Sequence, residues 1–99
     1  MSNMTMLATR VRELENLEGF EVEVYDTSGA AIDMRQNGLP RYPFEKKAKG
    51  DMTVSEWRTK RFATTWPTLT VRVLYGGGTE AQGNTKLSTV RESYEEEGH

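Results

Sequence analysis

Apolar residues recur every three to four positions in two stretches of the chain and every second position in two others. Leu7, Val11 and Leu14 stand at i, i+4 and i+7, with Met4 and Leu17 close to the same face, and predict an amphipathic helix over residues 3–18. Asn3 offers a cap at its start and Gly19 a stop at its end. Phe20, Val22 and Val24 then alternate with Glu21, Glu23 and Tyr25, the pattern of a strand with one wet face. Asp26-Thr27-Ser28-Gly29 is turn chemistry, after which Ile32 and Met34 continue as a returning strand.

Residues 36–52 carry no period and are punctuated by Asn37-Gly38, Pro40, Pro43 and Gly50. A loop this long in a compact domain is uncommon and often functional. Thr53 and Glu56 have the form of a capping box, opening a helix from Val54 to about Thr65 that Pro67 closes by pushing Trp66 out of helical geometry. Val54, Trp57 and Phe62 make its apolar arc, into which Arg58 and Arg61 project. Leu69, Val71, Val73 and Tyr75 form a second alternating strand, followed by Gly76-Gly77-Gly78. Thr85–Tyr94 fits a helix through Leu87, Val90 and Tyr94 and a strand through Thr85, Thr89 and Val90. The Gly-rich segment before it can return the chain beside residues 69–75, so a strand is the expectation.

These elements predict an α+β fold: two helices packed on one face of a roughly four-stranded antiparallel sheet. Phe20, Val22, Val24, Leu69, Val71 and Val73 supply the sheet's core face, and Leu7, Val11, Leu14, Trp57 and Phe62 cover it. Phe20, Val22, Val24 and Gly29 reappear 49 residues later as Leu69, Val71, Val73 and Gly78, each set preceded by a helix. A helix–hairpin unit repeated twice is the layout that follows. The 99 residues are read as a single domain, 1–99, with 95–99 a frayed acidic tail.

Composition narrows the chemistry. There is no Cys, and the only His is His99, so the usual general base and the commonest transition-metal ligands are missing from the interior of the chain. Neither an enzyme nor a bound cofactor or metal is expected. No apolar run has the length of a signal peptide or a membrane span, which with the absence of Cys favours a cytoplasmic protein. Charge is unevenly spread. Residues 35–61 hold eight basic residues against three acidic ones, whereas residues 1–34 hold two against seven.

Two short motifs touch known chemistry. Asp26-Thr27-Ser28-Gly29-Ala30 resembles the Asp-Thr-Gly-Ala active-site turn of retroviral aspartic proteases. Ser28 lengthens that turn, and the two predicted helices depart from the all-β pattern of the family, which leaves an Asp-initiated hairpin turn as the reading. Residues 78–85 approach a phosphate-binding loop, but Asn84 stands where the lysine belongs and Lys86 comes two residues late. A hairpin loop accounts for them.

The basic segment is the constellation that carries a functional expectation. Arg41, Tyr42, Lys46, Lys47, Lys49, Arg58, Lys60 and Arg61 are the candidate partner-binding residues, with Phe44 and Trp57 close by in sequence. The expected function is a small non-catalytic interaction module, such as an adaptor, inhibitor or subunit. It docks on an acidic protein partner or on a second copy of itself as a homodimer, with no membrane and no small-molecule substrate implied. The alternative is a nucleic-acid-binding accessory protein that uses residues 41–61 for phosphate neutralisation and aromatic stacking.

Overall fold

A computed structural model describes residues 6–96. Helix α1 spans Leu7–Glu18 and strand β1 Glu21–Asp26. Helix α2 is continuous through three pieces: Val54–Trp57, a π-helical turn at Arg58–Phe62, and Ala63–Thr65. Strand β2 spans Leu69–Leu74 and helix α3 Leu87–Glu96. The architecture is α+β with three helices and one antiparallel pair of strands.

The alternating segments behave as their pattern dictates. Val22, Val24, Val71 and Val73 are buried, while Glu21, Glu23 and Arg72 are exposed. Leu7, Val11 and Leu14 of α1 and Val54, Trp57 and Phe62 of α2 join the same core, as does Trp66. Phe20 meets Trp57 edge-on, with ring centroids 5.1 Å apart. The π turn has a packing reason. Trp57 and Phe62 are five residues apart, more than one regular turn, and the wider turn absorbs the extra residue so that both stay on the buried face. The Thr53–Glu56 capping box is present, with Thr53 N–H donating to Glu56 Oε1 at 2.9 Å.

Three expectations are corrected. First, the helix expected over residues 3–18 begins at Leu7. Met6 is its N-cap and gives no side-chain cap; instead the Leu7 and Ala8 amides donate to the carbonyls of Gln36 and Met34. Asn3 and Met4 lie outside the described residues. Second, the sheet has two strands rather than four among the described residues. The segments after β1 and β2 return beside them only through the isolated bridges Tyr25↔Ala31 and Leu74↔Glu80. Third, residues 87–96 form a helix, not a strand. Leu87 and Val90 are fully buried on one face, and the Leu87 and Ser88 amides are capped by the carbonyls of Met52 and Gly50. Helix α3 runs through Glu96; residues 97–99 of the expected acidic tail lie outside the described residues.

The 49-residue recurrence is a feature of the backbone, though the repeated unit is helix, strand, glycine turn and return arm. Gly29 and Gly78 both take left-handed φ, 89° and 97°, and donate to the carbonyls of Asp26 and Tyr75. Asp26 N–H donates to Ala30 and Tyr75 N–H to Thr79. The carbonyls of Met34 and Gln36 hold the start of α1, and those of Gly83 and Thr85 hold the start of α2. Every one of these strand and arm positions is displaced by 49. In the β1–β2 register Glu23 stands opposite Arg72, its own counterpart, so a local two-fold axis passes through that pair.

α3 belongs to the second half alone. It closes on the first through Tyr94, whose hydroxyl donates to Leu74 C=O and accepts from Glu21 N–H at 2.7 Å. Among the described residues no helix is long and apolar enough to cross a membrane.

Candidate interaction surface

The basic segment lies on a loop that has no regular structure yet is held at both ends of its charge run. Glu18 is the holding point. Leu7, Val11, Leu14 and Glu18 follow one another along the buried stripe of α1, so this carboxylate sits fully inside the protein. It accepts from the Tyr42 hydroxyl, from Ala48 N–H at 2.9 Å, from Arg61 Nη1 at 2.9 Å and from Arg91 Nη2 at 3.2 Å. Arg91 Nε donates to the Glu18 carbonyl at 2.6 Å as well. One side chain thereby joins α1, the loop, α2 and α3.

The loop gains further anchors from aromatic residues. Trp57 Nε1 donates to the Tyr42 hydroxyl at 3.2 Å and Trp66 Nε1 to Pro40 C=O at 2.8 Å. Arg61 donates to Lys46 C=O at 2.7 Å and lies 4.3 Å from the ring centroid of Phe44. Burial, and then the Glu18 carboxylate, push the Tyr42 hydroxyl far above the usual phenol range, so it remains a donor to Glu18 at any physiological pH. Burial lowers Arg91 from the ordinary arginine value while Glu18 opposes that shift.

The eight candidate residues divide by what they touch. Tyr42 is buried, and Arg61, whose side chain is 18% exposed, is committed to Glu18. Both position the loop rather than offer a free surface. Arg58 is half-buried, and its Nε has no hydrogen-bond partner among the described residues. Arg41, Lys46, Lys47, Lys49 and Lys60 are exposed. Ala48 is turned inward by its bond to Glu18, which leaves Lys47 and Lys49 facing outward on either side of it. The Arg61–Lys46 bond brings Lys46 against α2, the helix that carries Lys60. Arg41 lines a cleft of about 470 Å³ together with Glu13 and Glu45.

Among the described residues this surface carries no exposed aromatic ring. Tyr42 and Trp57 are interior, and the ring of Phe44 lies beneath Arg61. Among the described residues no three His, Cys, Asp or Glu side chains are close enough to share a metal ion. Asp26 is a turn cap: its carboxylate accepts from Ser28 Oγ at 2.6 Å and from the Ser28 and Ala30 amides at 2.9 Å. Those bonds hold its pKa below the ordinary carboxylate value.

Sequence reasoning did not single out Glu18 as the centre of this arrangement, although its place four residues after Leu14 put a carboxylate on the apolar stripe. Comparison of the chain with protein-family models, with curated proteins and with solved structures gives no match.

Proposed function

We propose that the protein is a non-catalytic interaction module that docks through Lys46, Lys47, Lys49 and Lys60 on an acidic surface of a protein partner, with Arg58 at the edge of the contact. One observation carries the reading. A basic loop without regular structure is clamped from beneath by Glu18, Tyr42, Arg61 and Trp57, so its lysines are presented from a fixed backbone. Ordering a loop on binding costs free energy, and a loop that is already ordered avoids that cost. Complementary charge then accelerates encounter and fixes orientation.

The preference for an acidic protein over nucleic acid rests on the aromatic residues. Single-strand binders stack bases on exposed rings, and here the rings near the lysines serve the core and the clamp. Affinity capture from the native host distinguishes the classes. Under the proposal a partner is retained after nuclease treatment and is lost when Lys46, Lys47 and Lys49 are replaced by Glu. A partner released by nuclease refutes the protein reading, and retention by the triple variant refutes the site.

A further inference from the structure

The clamp beneath the lysine loop holds more positive charge than it neutralises. Among the described residues Glu18 is its one carboxylate, and Arg61 and Arg91 both pair with it, with side chains 18% and 15% exposed. Tyr42 remains a neutral donor and adds no second negative charge. Both oxygens of Glu18 are in use: Oε1 accepts from Ala48 N–H and Arg91, Oε2 from Tyr42 and Arg61. Among the described residues neither arginine has a second acidic partner. The two cations act on each other, for burial lowers the pKa of Arg91 and the charge of Arg61 adds to that shift.

The arginines spend their donors differently. Arg91 turns the Nε–Nη2 edge of its guanidinium to Glu18, giving Nε to the main-chain carbonyl and Nη2 to the carboxylate. Arg61 holds the loop through Nη1 alone, which donates to Glu18 Oε2 and to Lys46 C=O. Its Nε and Nη2 have no hydrogen-bond partner among the described residues, and neither is sealed from solvent. What Arg61 leaves over is an edge and not a surface: two parallel N–H donors, the fork that takes a carboxylate bidentately. That edge is fixed in place. Nη1 is pinned at two points, and the Phe44 ring lies against the guanidinium, its centroid 4.3 Å from Cζ. Lys46, through its carbonyl, and Lys60, the preceding residue, adjoin it.

We propose that the Nε–Nη2 edge of Arg61 anchors the docking surface by receiving the carboxylate of one Asp or Glu side chain of the partner. This rests on the acidic-partner reading above and names the group at the centre of that contact. The incoming carboxylate supplies the second negative charge that two arginines around one glutamate lack. It meets a guanidinium already oriented, so little ordering remains to be done on binding. Lys46, Lys47, Lys49 and Lys60 steer the approach as exposed rim charges do, while the constrained arginine carries the larger share of the affinity. A lysine at position 61 keeps a cation beside Glu18 but cannot present the fork.

The test is titration of the isotope-labelled full chain, at physiological salt, with acetyl-hexaglutamate amide, followed through the arginine Nε–Hε resonances. The Arg61 resonance should move saturably together with the amides of residues 46–49, while that of Arg91, whose Nε is already bonded, moves less. The hexaglutamine peptide should move neither. Arg61→Lys should weaken binding at least ten-fold, more than Lys47→Gln, which removes a whole charge. Amide dispersion shows whether the arginine variant folds; if it does not, the wild-type resonance decides alone. Three results overturn the inference: an Arg61 resonance that stays still, an equal shift with hexathymidylate, which makes the edge a general anion site, or a folded Arg61→Lys variant that binds no worse than Lys47→Gln. A still Arg61 resonance beside shifts at 46–49 removes the anchor and leaves the lysine surface standing, whereas a partner released by nuclease removes the acidic-partner reading itself.

Discussion

Replacing Glu18 with alanine removes the acceptor shared by Tyr42, Ala48, Arg61 and Arg91 without adding any bulk. Arg61 and Arg91 are left facing each other, with side chains 18% and 15% exposed, and neither has another carboxylate within reach among the described residues. Breaking a buried ion pair from one side costs about 3–5 kcal/mol, because the remaining charge stays desolvated and unpaired. The whole stability of a domain this size is about 5–15 kcal/mol, so the loss consumes much of it. Urea unfolding at neutral pH measures the effect as a fall in the midpoint at unchanged slope. Glu18→Gln keeps the shape and tests the charge. Its amide turns two hydrogens toward groups that are themselves donors, and a cost of about 2–3 kcal/mol is expected from the loss of charged hydrogen bonds. Amide exchange at residues 46–49 should accelerate in the alanine variant, since Ala48 loses its acceptor and the Lys46–Arg61 bond loses its support. A cost below about 1 kcal/mol for the alanine variant, with the loop still protected, refutes the claim that Glu18 holds the loop.

Two other perturbations probe the glycine turns that follow the strands. A Cβ built on Gly76 meets the Ser93 carbonyl oxygen at 2.5 Å, backbone that cannot turn aside, so Gly76→Ala must displace α3. It should cost about 1–3 kcal/mol, as overpacking does, whereas Gly29→Ala meets only open space and answers to its positive φ alone; equal midpoints with Gly76→Ala at wild-type stability contradict the close approach. Asp26, whose folded pKa lies below the ordinary 3.8 because Ser28 and Ala30 donate to it, adds stability that is present above the unfolded value and lost as pH falls through the folded one. Thermal unfolding should therefore show a smaller decline in stability below pH 4 for Asp26→Asn than for the wild type, and parallel curves would show that the turn does not depend on the charge.

The legible part of the fold was the part governed by local period. Val22 and Val24, Val71 and Val73, and the Thr53–Glu56 box have their outcome written into neighbouring residues. α3 was misread because Thr85, Thr89 and Val90 favour a strand locally, while its start is fixed by the carbonyls of Met52 and Gly50 from far away in sequence. The extra strands failed because each arm leaves its partner strand after a bridge or two, too little to be a strand and too much to be invisible in the 49-residue spacing. At the candidate surface, the lysines were readable as a charge run, but Tyr42 and Arg61 were not separable from them. A loop without period gives no sign of which side faces inward. That depends on Glu18, which lies 24 residues before the one and 43 before the other.

The proposed function stands on the lysines acting at the surface without supporting the fold. Exposed charges seldom contribute more than about 1 kcal/mol each, so the triple variant Lys46→Glu, Lys47→Glu, Lys49→Glu separates the two roles. The decisive measurement is its melting temperature beside its affinity for the captured partner, both at physiological salt. The account predicts an essentially unchanged melting temperature and binding at least ten-fold weaker, about 1.4 kcal/mol. A folded triple variant that binds with wild-type affinity would contradict it.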